Sequence, residues 1–190
     1  MKKTFFTSLI LCTMSISMFA HGSHGSGFIA GFTHPIFGLD HLLAIMTLGL
    51  LIASLGFKSS LPIALAFIVS MGISGWMGIN TDGFPYMESG IAISIVLLGI
   101  AMLLNVSIPV FVGIIGSVII AFFHGYAHGV EMPESTSPFL YISGFLFGAL
   151  LIFAISIAIG NFISQFKSKN LILQLIGVTI AGSGLLVLLS

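Results

Sequence analysis

Residues 139 to 163 read Phe-Leu-Tyr-Ile-Ser-Gly-Phe-Leu-Phe-Gly-Ala-Leu-Leu-Ile-Phe-Ala-Ile-Ser-Ile-Ala-Ile-Gly-Asn-Phe-Ile, a stretch without a single charge. About 20 apolar residues in a helix cross the hydrocarbon core of a bilayer, and a helix satisfies its own backbone groups there. Five more apolar runs surround this one, at residues 35–56, 61–79, 89–104, 108–130 and 171–189. They are separated by short polar connections: Lys58 to Ser60, Asn80 to Pro85, Asn105, Glu131 to Pro138, and Ser164 to Asn170. Pro35 opens the first run, where a proline's missing N–H is harmless. The pattern predicts an all-α membrane protein of six transmembrane helices, in one polytopic domain over residues 21–190.

Composition points the same way. Apolar residues make up 57% of the 190 and charged ones 5%, and the mean hydropathy is +1.23. A soluble domain carries about 25% charged residues. With zero net charge, nothing suggests nucleic acid as a partner; membrane lipid is the expected surrounding. The single cysteine, Cys12, excludes a disulfide framework or a cysteine metal cluster. Lys2 and Lys3 before the apolar run 5–19 resemble a signal peptide ending at Ala20, giving a seventh helix if it is not cleaved. Lys58, Lys167 and Lys169 all fall on one side of the expected spans. The positive-inside rule makes that side cytoplasmic and puts the mature N-terminus outside, as in a multi-pass protein of a bacterial inner membrane. Glycine pairs at helical spacing, Gly125/Gly129 and Gly144/Gly148, read as close helix packing.

The six histidines form three clusters: His21/His24, His34/His41 and His124/His128. On continuous helices, residues seven apart and four apart share a face, and Glu131 extends the stripe of His124 and His128. His41 and His124 both lie six residues inside the outer ends of their spans, roughly 9 Å deep. Two helices thus place imidazoles at one level, with Asp40 beside His41 and Glu131 beside His128. One intramembrane histidine is often only a helix–helix hydrogen bond, but paired histidines with adjacent acids on two helices form a ligand set. Imidazole with carboxylate suits nickel, cobalt, zinc or iron(II) rather than magnesium or calcium. His21 and His24 precede the first span in a glycine-rich tract, as an external metal-capturing segment would.

The runs His34-Pro-Ile-Phe-Gly-Leu-Asp40-His41-Leu-Leu-Ala44 and Phe123-His124-Gly-Tyr-Ala-His128-Gly-Val-Glu131-Met-Pro133 resemble the two hallmark motifs of the HupE/UreJ family. A third stretch, Glu88-Ser-Gly-Ile-Ala-Ile-Ser94 with Leu98-Gly99, is similar to that family's entry into its third span and adds Glu88 as a secondary metal candidate. The resemblance covers nearly the whole chain. It implies a nickel permease with six spans after a signal peptide, serving hydrogenase or urease maturation; family members are also linked to cobalt. Many relatives carry a histidine in the fifth span where this chain has Phe153, which puts metal choice and rate in question.

The residues leave other functions open. An intramembrane metal hydrolase could use the same histidines and acids, yet neither His-Glu-x-x-His nor Gly-x-Ser-x-Gly occurs. A haem between His41 and His124 would use the imidazoles, though not the acids beside them. The favoured expectation is a permease, not an enzyme, with no prosthetic group and a divalent metal as cargo. Assembly into a homo-oligomer stays open. No Gly-x-x-x-x-Gly-Lys-[Ser/Thr] motif is present, so ATP does not drive it through a P-loop.

Overall fold

The computed structural model describes residues 27–189; the expected signal segment, His21 and His24 lie outside the described residues. Among the described residues the regular elements are helices: α1 (Gly27–Phe37), α2 (Leu39–Ala53), α3 (Phe57–Gly78), α4 (Met87–Leu103), α5 (Val110–Val130), α6 (Pro138–Ile163) and α7 (Lys169–Leu189). Four of them, α3, α5, α6 and α7, are each long and apolar enough to cross a membrane. Helices α1 and α2 pass that test only as a pair, and α4 is apolar but shorter, at 17 residues. Large apolar side chains face outward in helical stripes, such as Leu65, Val69, Ile73 and Trp76 on α3. Water would reject such a surface and lipid accepts it. The chain is a multi-pass membrane protein.

Glycine sets the helix pairing. Helices α3 and α5 run parallel in close contact, with Gly129 against the carbonyl of Gly75 and Gly125 against Met71 and Ser74. Helix α6 lies alongside α1 in the same way, Gly144 meeting the carbonyl of Phe28, and then alongside α2, where Gly49 meets Ser156. Helix α7 packs antiparallel on α4 through Gly177, Gly99 and Gly184. A Cβ at any of these positions would occupy the neighbouring helix, as expected where only close van der Waals approach holds helices together in lipid. Between the helices lies a dry core of Ile45, Leu48, Ile52, Phe67, Met71, Ile95 and Phe153.

The first span departs from its sequence expectation. It does not start at Pro35: the helix is already formed from Gly27, and Pro35 lies inside it. The chain then leaves helical geometry at Gly38 (φ −75°, ψ 101°) and turns by 72° before α2 begins. Asp40 helps produce the break, because its Oδ1 accepts the His41 backbone N–H at 2.8 Å and so replaces a carbonyl of the ladder. A Cβ on residue 38 would lie 3.3 Å from His41 Nδ1 and 3.4 Å from Asp40 Oδ1, so glycine keeps the corner open. A smaller correction concerns Lys58 to Ser60, which start α3 rather than connect spans. The Gly56 carbonyl accepts the Ser60 N–H at 3.0 Å and the Ser60 hydroxyl at 2.6 Å, starting the helix early.

Candidate metal centre

The end of α1, the start of α2 and the end of α5 meet at one end of the bundle. His34 comes from the last turn of α1, Asp40 and His41 from the first turn of α2, and His128 from the last turn of α5. His124 lies one turn deeper in α5, and Glu131 follows that helix as its C-cap. His128 is the hub: its ring centroid is 4.0 Å from that of His41 and 4.6 Å from that of His34. His41 and His124 stand 4.8 Å apart, nearly perpendicular.

Hydrogen bonds assign the protons. An ionised carboxylate only accepts, so Asp40 Oδ1 accepts a hydrogen bond from the His41 Nδ1–H at 2.7 Å. In the neutral ring the lone pair is then on Nε2, which is buried without a partner. Glu131 Oε2 accepts the His34 Nε2–H at 2.8 Å, leaving His34 Nδ1 to accept the Tyr141 hydroxyl at 2.9 Å. His124 Nδ1 and both nitrogens of His128 are also buried with no partner. A buried polar atom without a hydrogen bond costs roughly 1–3 kcal/mol; in neutral rings these four nitrogens are three lone pairs and one His128 N–H, a set suited to a ligand that accepts nitrogen lone pairs. Ligand atoms of His34, His128 and Glu131 lie within 4.8 Å of one another, with His34 and Glu131 now engaged with each other, so a metal there would replace their hydrogen bond.

Of the residues expected from sequence, His34, Asp40, His41, His124, His128 and Glu131 therefore converge. His34 and His41 do so differently from expectation: they do not share one helix face but flank the bend, rings 6.4 Å apart. The group whose ligand atoms all lie within 4.8 Å is His34, His128 and Glu131; Asp40, His41 and His124 join it through ring and hydrogen-bond contacts, whereas Glu88 is exposed in the first turn of α4. Phe153 packs against Phe67 in the core, centroids 5.6 Å apart. Three neighbours were not singled out beforehand: Tyr141, Ser94, whose Oγ lies 2.9 Å from His124 Nε2, and Phe145, whose ring lies 4.7 Å from that of His128. Tyr141 and Ser94 are polar groups in apolar spans, which is a signal, but sequence does not say which partner each one finds.

The family model described as HupE / UreJ protein matches residues 9–187. The chain belongs to the HupE/UreJ family. Protein HupE of Rhizobium leguminosarum bv. viciae is 32% identical over 182 residues, covering 93% of this chain and 95% of that protein. No solved structure matches the chain. The two histidine-bearing stretches resembling the HupE/UreJ motifs meet in the histidine cluster, although they lie on three helices, and the third stretch brings Ser94 beside His124.

Proposed function

We propose that this chain is a secondary permease taking up a divalent transition metal, Ni2+ first and Co2+ as the alternative, across the bacterial inner membrane. The cargo supplies a metalloenzyme such as hydrogenase or urease, in keeping with the HupE/UreJ membership. The observation that carries this proposal is the set of bare, buried imidazole nitrogens on His41, His124 and His128, with Asp40 and Glu131 supplying negative charge. Neutral imidazole with carboxylate is a donor set for nickel, cobalt, zinc or iron(II).

A route follows from exposure. The Glu131 side chain is 44% exposed and that of His34 25%, so they meet the ion first, with His21 and His24 as an external antenna. His128 receives it next, and His41 with His124 hold it deepest. The α1–α2 corner places a broken helix at the ion site, as transporters do at their substrate sites. Counting α1–α2 as one span and α4 as another gives six. The histidine end then lies outside, and Lys58, Lys167 and Lys169 lie inside, as the positive-inside rule requires. A 2+ ion moving inward across 100 mV gains about 4.6 kcal/mol, so the membrane potential is a sufficient drive.

The test is equilibrium Ni2+ binding to the purified protein in nanodiscs, for His41→Ala, His124→Ala and the double variant. Ligands of one ion give non-additive losses, the second replacement adding little. Losses that add within about 0.5 kcal/mol would contradict a single shared site.

A further inference from the structure

Ser94 stands on α4, a helix that contributes no histidine. Its hydroxyl is 2.7 Å from the Ile91 carbonyl oxygen and 2.9 Å from His124 Nε2, and the residue is buried. A serine hydroxyl has one proton and two lone pairs, whereas a carbonyl oxygen can only accept. The shorter contact therefore takes the serine proton, and Ser94 Oγ is left as an acceptor toward His124. Its ring must then donate from Nε2, and its lone pair sits on Nδ1, the atom that is buried with no partner.

We infer that Ser94 is a positioning residue for the metal centre: it fixes His124 as the Nε2–H tautomer and aims Nδ1 into the cluster as the ligand atom. This rests on the metal reading above. The arrangement mirrors that at His41, where Asp40 accepts the Nδ1–H hydrogen bond and Nε2 is the bare atom. One ring thus presents Nε2 and the other Nδ1, each set by the partner of its other nitrogen. Partners of this kind orient a ligand ring and hold its tautomer, and their loss typically costs 10–100-fold in metal affinity. Ser94 also ties α4 to α5, so the site is held by a helix that supplies none of its ligands.

The experiment uses the full chain in nanodiscs with 15N-labelled histidine, the His124 signals being assigned by their loss in His124→Gln. In the metal-free protein, His124 should show a protonated Nε2 and an unprotonated Nδ1. Ser94→Ala should populate both tautomers and weaken Ni2+ binding 10–100-fold. Ser94→Thr, which keeps a hydroxyl able to back-bond within a helix, should restore the single tautomer and most of the affinity. A His124 protonated on Nδ1 in the unmutated chain, or unchanged tautomer and affinity in Ser94→Ala, overturns the inference while leaving the metal reading intact. Absence of Ni2+ binding by the unmutated chain overturns the metal reading and the ligand role of Nδ1, while the nitrogen spectra report separately on what Ser94 does.

Discussion

His128 touches both His34 and His41, and neither of its nitrogens has a hydrogen-bond partner, so it links the outer and inner parts of the proposed route. His128→Ala should weaken Ni2+ binding at least 100-fold, about 2.7 kcal/mol, with the protein still inserted and monodisperse on size exclusion. Unchanged affinity would remove it from the route. Tyr141→Phe deletes only the hydroxyl that holds His34 Nδ1. It should loosen the outer station and cost roughly tenfold in affinity, measured by the same titration. His21 and His24 precede the described residues, and replacing both should raise the metal concentration for half-maximal uptake while sparing the maximal rate. Loss of uptake at saturating metal would make them core ligands instead. Sequence alone indicated the six converging residues, because histidines and acids are conspicuous in spans that otherwise carry none. It did not reveal that Glu131 is the partner of His34, 97 positions away, nor the roles of Tyr141 and Ser94. Those pairings are tertiary, and no periodicity encodes them.

At the scale of elements, the helices were legible from apolar run length, and most ends fall within a few residues of expectation. The corner at Gly38 was not. Apolar residues continue across it, and Pro35 reads equally well as a helix start, so nothing local distinguishes a long helix from two short ones. Gly38→Ala keeps an allowed backbone but brings a methyl against His41 and Asp40. It should lower the maximal uptake rate while leaving the amount of folded protein unchanged; an unaltered rate would show that the corner tolerates crowding. The α3–α5 seam gives a paired test. Gly129→Ala drives a methyl into the Gly75 carbonyl, whereas Gly116 on the same helix has open space around it. The first should destabilise the protein by several °C in thermal unfolding followed by tryptophan fluorescence. The second should be neutral, or stabilising by up to about 1 kcal/mol. Equal effects would contradict the close seam.

For the whole molecule, asymmetry matters most. The ligand cluster sits at one end, with partly exposed Glu131 and His34 above it. On its other side, the buried side chains of Leu48, Ile52, Phe67 and Phe153 close the bundle. Such a packed apolar layer cannot pass a hydrated cation, and the deeper imidazole nitrogens are themselves buried, so the bundle is closed beyond His34 and Glu131. On the permease proposal, transport requires the helices to separate on the far side, with the α1–α2 corner as the natural place for movement. As a permease, the protein would carry a divalent transition metal through the membrane by way of this cluster, and that role needs its own test. It is tested most directly by radioactive Ni2+ uptake into proteoliposomes holding the purified chain, under an imposed inside-negative potential, with Co2+ as competitor and His128→Ala as control. The proposal predicts saturable uptake that grows with the potential, is inhibited by Co2+ and is lost in His128→Ala. Uptake no greater than in protein-free vesicles, or equal in His128→Ala, would contradict it.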